Sequence, residues 1–285
     1  MPTDINQEIE HYLRTGEHDQ NFLAWPGEDF FTRAKHGEAD LLEALISAVR
    51  QRTPCETMPE PLIDLDVTAF TRAKLAPMVD GLFPQGERSV VLDMLSHSAV
   101  FLMPDNVDTV LRQSRWLSTA WDLANLYLAG FDRELLSEQA PLLAGLSEET
   151  TCYLSLDYFH TEDTFEDFLV HEAAHVFHNC KRETIGLRKI RGREWLLEID
   201  FTKRELFAYA CEAYSRILTL GKGRGDRRMR LVELEQMPMP ADERVDAAEY
   251  VDVLREAIEA RNGWKHILER CSDHQPARRY RLGDA

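Results

Sequence analysis

A histidine, a glutamate and a second histidine stand at positions 171, 172 and 175, inside the stretch FLVHEAAHVFHNCK that runs from Phe168 to Lys181. Two histidines four apart on a helix differ by about 40° of azimuth and one turn, so both imidazoles can point at one metal ion. Glu172 follows the first of them, where a carboxylate can lie beside a metal-bound water and take its proton. This is the chemistry of the H-E-x-x-H spacing, with a zinc ion as electrophile and the glutamate as general base. Val170, Ala173, Ala174 and Val176 are uncharged, as a buried helix carrying such a motif requires. His178 lies on nearly the same face, and either stands behind the site, contacts substrate, or caps the last turn; the capping role is the plainer reading.

Zinc needs a third protein ligand and an open position for water. The longer H-E-x-x-H-x-x-G-x-x-H pattern is not continued, because the chain runs on through Asn179, Cys180 and Lys181. The best source of the missing ligand is KRELFAYACEAYSRIL, residues 203–218. Its Leu206, Ala210, Ala213 and Ile217 form one apolar stripe at helical spacing, widened by Phe207, Cys211, Tyr214 and Leu218. Glu205 and Glu212 are seven apart and lie on one line down that helix, with the small Ala208 between them to allow close approach of a neighbour. A carboxylate on an otherwise apolar helix is costly unless something pairs with it, and a zinc ion is such a partner. Either glutamate is a candidate. Tyr209, Tyr214 and His178 are candidate donors to an oxyanion.

Here the chain resembles a known group. H-E-x-x-H followed by a glutamate on a second helix is the layout of the gluzincin metallopeptidases. Glu205-Leu206-Phe207-Ala208 looks like the E-x-F-A element that follows the histidine helix in several intracellular bacterial gluzincin-like families. The resemblance covers roughly residues 150–220. It implies that His171, His175 and Glu205 hold Zn2+, that Glu172 is the general base, and that the substrate is a protein or peptide. The gap between His175 and Glu205 is longer than in the best-known gluzincins and leaves room for an inserted loop.

The elements that must position these residues are readable in part. Thr161, Asp163 and Thr164 are candidate N-caps of the histidine helix, with Glu166 or Asp167 in its first turn and Lys181 and Arg182 at its cationic end. Before it, TCYLSLD (residues 151–157) alternates and reads as a short strand. In zinc peptidases an edge strand beside the site pairs with an extended substrate, and this strand is a candidate for that role. Residues 40–51, 66–79 and 88–97 read as helices, with a Pro-rich linker at 53–61. Residues 107–129 read as one buried helix containing Trp116 and Trp121. The Asp93/His97 pair has no third partner nearby and reads as an ordinary histidine. Residues 242–260 and 264–271 are further amphipathic helices, followed by a frayed polar tail. The expected fold class is mainly α (α+β): a helical N-terminal region, 1–150, and a zincin-like catalytic region, 151–285, with a small β-sheet.

Composition bounds the setting. The chain has 285 residues, 44% of them hydrophobic, and a net charge of −17, which repels nucleic acid and anionic membrane. No apolar run is long enough to span a membrane, and the N-terminus shows no secretory signal. Cys55, Cys152, Cys180, Cys211 and Cys271 are scattered and read as reduced thiols of a cytoplasmic protein. One segment runs against the acidic bulk: KRETIGLRKIRGRE, residues 181–194, holds Lys181, Arg182, Arg188, Lys189, Arg191 and Arg193. It is either an electropositive lip for an acidic partner or a solvated loop. A second basic cluster spans residues 222–230 and includes Arg224-Gly225-Asp226, an incidental tripeptide. The expectation is therefore a zinc metallopeptidase. The alternative is a non-catalytic interaction module that retains a zincin-like zinc site. An intact Glu172 favours the enzyme, since a structural zinc site needs ligands but no base.

Overall fold

The computed structural model describes residues 4–54, 64–159, 164–190 and 192–272. The candidate caps Thr161 and Asp163, Cys55, most of the Pro-rich linker, Arg191 and the polar tail lie outside the described residues. The structure is mostly helical, 61%, with one three-stranded sheet, which is the mainly α architecture expected. Among the described residues no helix is long and apolar enough to cross a membrane. Two compact units divide the chain: residues 1–73 with 95–164, and residues 74–94 with 165–285.

The first unit contains helices α1 (Ile5–Thr15) and α2 (Phe30–Arg52), the start of α3 (Val67–Leu82), the end of α4 (Gln85–Ser96), then α5 (Val107–Gln113) and α6 (Leu117–Ala129). Asp29 begins α2 by accepting from the Thr32 backbone N–H, and Leu41, Leu45, Ile46 and Val49 form its buried stripe. Tyr12 and Trp121 tie α1 to α6: the tyrosine hydroxyl donates to the Leu117 carbonyl and the indole N–H to the Leu13 carbonyl. The run expected as one helix over 107–129 is broken at Ser114–Trp116. Trp116 sits in extended backbone as the N-cap of α6 and is 61% exposed, with Arg115 over its ring, so it is not part of the core.

The sheet also belongs to this unit. Strands β1 (Ala99–Phe101), β2 (Gly145–Glu148) and β3 (Thr151–Leu154) are ordered β1-β3-β2, with β3 parallel to β1 and antiparallel to β2. The strand read from residues 151–157 is therefore real but shorter, and it is the central one. Both of its edges are already paired, so it offers no row of free N–H and C=O groups for an extended peptide. After Ser155 the chain turns into a 3-10 helix, Leu156–Phe159.

The second unit holds the motif. Helix α7 (Phe168–Asn179) packs along α8 (Arg204–Leu220), and α8 is in turn surrounded by α9 (Arg224–Leu234), α10 (Ala247–Glu259) and α11 (Gly263–Cys271). Ala173 and Ala174 on one helix and Ala208 on the other are fully buried. The basic 222–230 cluster is the start of α9, whose Leu231 and Leu234 reach the core. α8 also meets α11 closely: a Cβ on Gly263 would lie 2.2 Å from the Tyr214 hydroxyl oxygen, so only glycine fits. The segment 181–194 is anchored rather than free along its length. Arg182 is 2% exposed, grips both Glu87 oxygens at 2.6 and 3.2 Å, and donates to the Arg188 carbonyl. Leaving either charge of such a buried pair alone costs about 3–5 kcal/mol. Lys181 pairs with Glu194, which leaves Arg188, Lys189 and Arg193 on the surface.

Candidate metal centre

Helix α7 begins later than its polar approach suggests. Asp167, not Thr164, is its N-cap residue, and the Asp167 side chain is turned to Lys74 at 2.6 Å. This start sets the phase of the helix. Leu169, Val170, Ala173, Val176 and Phe177 become fully buried, while His171 and His175 line up one turn apart on the side that meets α8. Their Nε2 atoms stand 3.2 Å apart.

Glu205 comes from the first turn of α8. Its Oε2 lies 3.8 Å from His171 Nε2 and 3.5 Å from His175 Nε2. Among the described residues, His171, His175 and Glu205 are the one group of three or more side chains whose ligand atoms converge closely enough to hold a metal ion. The spacing is a test of fit. Ligand atoms set tetrahedrally about a zinc ion at about 2.0–2.1 Å stand about 3.4 Å from one another. The three edges here, 3.2, 3.5 and 3.8 Å, bracket that value. Two imidazole lone pairs aimed at each other across 3.2 Å repel unless a cation or a proton lies between them.

Glu212 is not in this group. It lies two turns further along α8 and stands behind His171, with its Oε2 3.1 Å from His171 Nδ1. An ionised carboxylate only accepts, so Nδ1 carries the proton and Nε2 is left to face the cluster. The other Glu212 oxygen accepts the Asp167 backbone N–H at 2.6 Å, which fixes the carboxylate against the start of α7. Burial works against a charge on His171, but the Glu212 hydrogen bond and the charges of Glu212, Glu172 and Glu205 outweigh it and raise its pKa to about 9. The site is thus built to hold positive charge. Burial alone would raise Glu205, yet His175, His171 and Arg244 overcome it and keep the carboxyl below its usual range.

The chain matches no protein-family model, no curated protein and no solved structure with which it was compared. What the cluster can do follows from its own atoms.

The remaining sequence candidates divide. Glu172 is buried at 7% exposure, and its charge is felt at His171. Tyr209 packs its ring edge-on against His171, with centroids 4.5 Å apart. Burial, then the charges of Glu212, Asp242 and Glu205, push its hydroxyl up to about 12, so it remains a donor. Tyr214 is engaged elsewhere, edge-on to Trp264 at 5.0 Å. His178 is not a solvent-side cap: it is 3% exposed, and its Nε2 lies 3.4 Å from His175 Nδ1. Burial, with the charges of His175 and Arg204, lowers its pKa to about 3, so it is neutral.

One residue of the site escaped the sequence. Arg244, from the segment between α9 and α10, places Nη1 3.1 Å from Glu205 Oε1, the oxygen turned away from the imidazoles. Asp242 grips the other side of the guanidinium through two hydrogen bonds. Glu205 is thereby held at one oxygen and presents the other. Nothing in the pattern ADERVD signals this, because the residue is brought back by chain path and not by helical spacing.

Proposed function

We propose that the protein is a zinc-dependent metallopeptidase of gluzincin-like, zincin-type architecture, acting on a protein or peptide substrate. The observation that carries this reading is the convergence of His171 Nε2, His175 Nε2 and Glu205 Oε2 at tetrahedral-edge spacing, with a further carboxylate, Glu172, next to the first histidine and not among the three. A structural zinc site has no use for such a carboxylate. The donor set of two imidazoles and one carboxylate suits zinc and leaves a fourth position open. A zinc ion held there supplies a Lewis acid for a carbonyl and makes water a nucleophile near neutral pH.

The chain's own residues do the rest. Glu172 takes a proton from the attacking water on a carboxylate oxygen and returns it to the nitrogen of the breaking amide, so the acid and amine products balance. The two histidines present Nε2 because their Nδ1 atoms are engaged by Glu212 and His178. The Tyr209 hydroxyl, kept protonated, is the candidate donor to the developing oxyanion. His171 and His175 are each 13% exposed, so the cluster is not sealed from water.

The test is cleavage of a diverse peptide library by the protein loaded with zinc, stripped with chelator and reloaded. Cleavage that vanishes on stripping and returns with zinc is the expected result. A zinc-loaded protein that cleaves no member of the library would leave the non-catalytic module as the better reading.

A further inference from the structure

The two histidines of the cluster are backed by different chemistry. Behind His171 stands the Glu212 carboxylate. Behind His175 stands another imidazole, with His178 Nε2 3.4 Å from His175 Nδ1 and the two rings nearly perpendicular, 87°, at 5.2 Å between centroids. We infer that His178 is a positioning residue, a hydrogen-bond acceptor that fixes the tautomer and ring orientation of His175 so that its Nε2 faces the metal. The inference rests on the metal reading above and assigns His178 no contact with substrate.

Three observations lead to it. First, if His175 gives its Nε2 lone pair to a cation, its Nδ1 must carry the proton, and the atom facing that N–H has to accept. His178 Nε2 is that atom. Second, His178 is placed to be held still. It sits three residues on from His175 on the same helix, so the pair is set by α7 itself, and it is 3% exposed. Third, the arrangement is unfavourable for packing alone. With Nε2 accepting, His178 Nδ1 carries the other proton, and that atom is buried with no hydrogen-bond partner among the described residues. An orphaned buried donor lowers stability, and a phenyl ring of similar shape would avoid the loss. A histidine here costs the fold something and returns it at His175.

The experiment compares wild type, His178→Phe and His178→Gln, each as the full chain. Zinc affinity is measured by competition with a chromophoric chelator, and thermal unfolding is followed on the metal-free proteins. His178→Phe is expected to weaken zinc binding by about 10–100-fold, as loss of such an outer partner does. The metal-free protein should meanwhile unfold at the wild-type temperature or above it. His178→Gln keeps an acceptor oxygen and is expected to stay within about threefold of wild type in zinc affinity. Long-range proton–nitrogen spectra of the zinc-loaded wild type should show His175 protonated at Nδ1. Zinc affinity unchanged in His178→Phe, equal loss in both variants with a lowered unfolding temperature, or metal on His175 Nδ1 would each overturn the inference and leave the metal reading standing. A wild-type protein that binds no zinc overturns both.

Discussion

Replacing Glu172 by glutamine is expected to leave zinc content at the wild-type level and to lower turnover by about 10²–10⁴-fold, the range that general acid–base catalysis supplies. The substitution keeps the size and planarity of the side chain but removes its negative charge and its capacity to accept a proton. Glu172 is buried and is not one of the three converging ligands, so the metal should not notice the change directly. One indirect effect has a predictable sign. Glu172 contributes negative charge that favours positive charge at His171, so its loss should weaken cation binding slightly. Metal content and steady-state rates measured on the same preparations separate the two effects. A variant that cleaves at the wild-type rate would mean that Glu172 is not the base, or that the hydrolysis does not depend on this cluster.

The second large effect distinguishes two glutamates on one helix. They are two turns apart, about 10 Å along the axis, so they cannot both bind one ion. Glu205 has an oxygen within 4 Å of both facing nitrogens, whereas Glu212 meets His171 at its rear nitrogen. Glu205→Ala should therefore release zinc at free-metal concentrations where wild type is saturated. Glu212→Ala should retain zinc with affinity reduced by about 10–100-fold, the usual effect of losing the partner behind a ligand. It should also destabilise the start of α7, because the Asp167 backbone N–H loses its acceptor. Titration of both variants against a zinc buffer series decides the order. The reverse order would transfer the ligand role to Glu212.

How far the sequence reached depended on whether a signal was local. His171, His175, Glu205 and Glu212 lie on two helices whose apolar stripes are periodic, so their relative phase could be read from spacing alone. The same spacing leaves both glutamates open as ligands, and only the contact of Glu212 with His171 Nδ1 places it behind the cluster. The boundary of α7 was less legible, because several polar residues precede it and only packing shows which one ends the loop. Long-range returns were not legible. Arg244 reaches Glu205 from an irregular segment with no period, and Glu87 receives Arg182 from almost a hundred positions away. The strand at 151–154 was visible through its alternation, but its place in the sheet was not. Its neighbour β1 is three residues long, too short to show a period, and lies some fifty residues upstream. The apolar run over 107–129 hid the break at Ser114–Trp116, since hydrophobic content continues through it. For His178 the reason is simpler: spacing places it near the site, but only burial shows that it faces His175 and not solvent.

The most direct measurement is the metal content of the purified protein, by elemental analysis after dialysis against trace zinc, in wild type beside the His171→Ala/His175→Ala double variant. About one zinc per chain is expected in wild type, from two imidazoles, one carboxylate and an open fourth position. The double variant should hold almost none and should lose the stabilisation that zinc gives the native state. Full zinc occupancy in the double variant, or none in a folded wild type, would contradict the account at its centre.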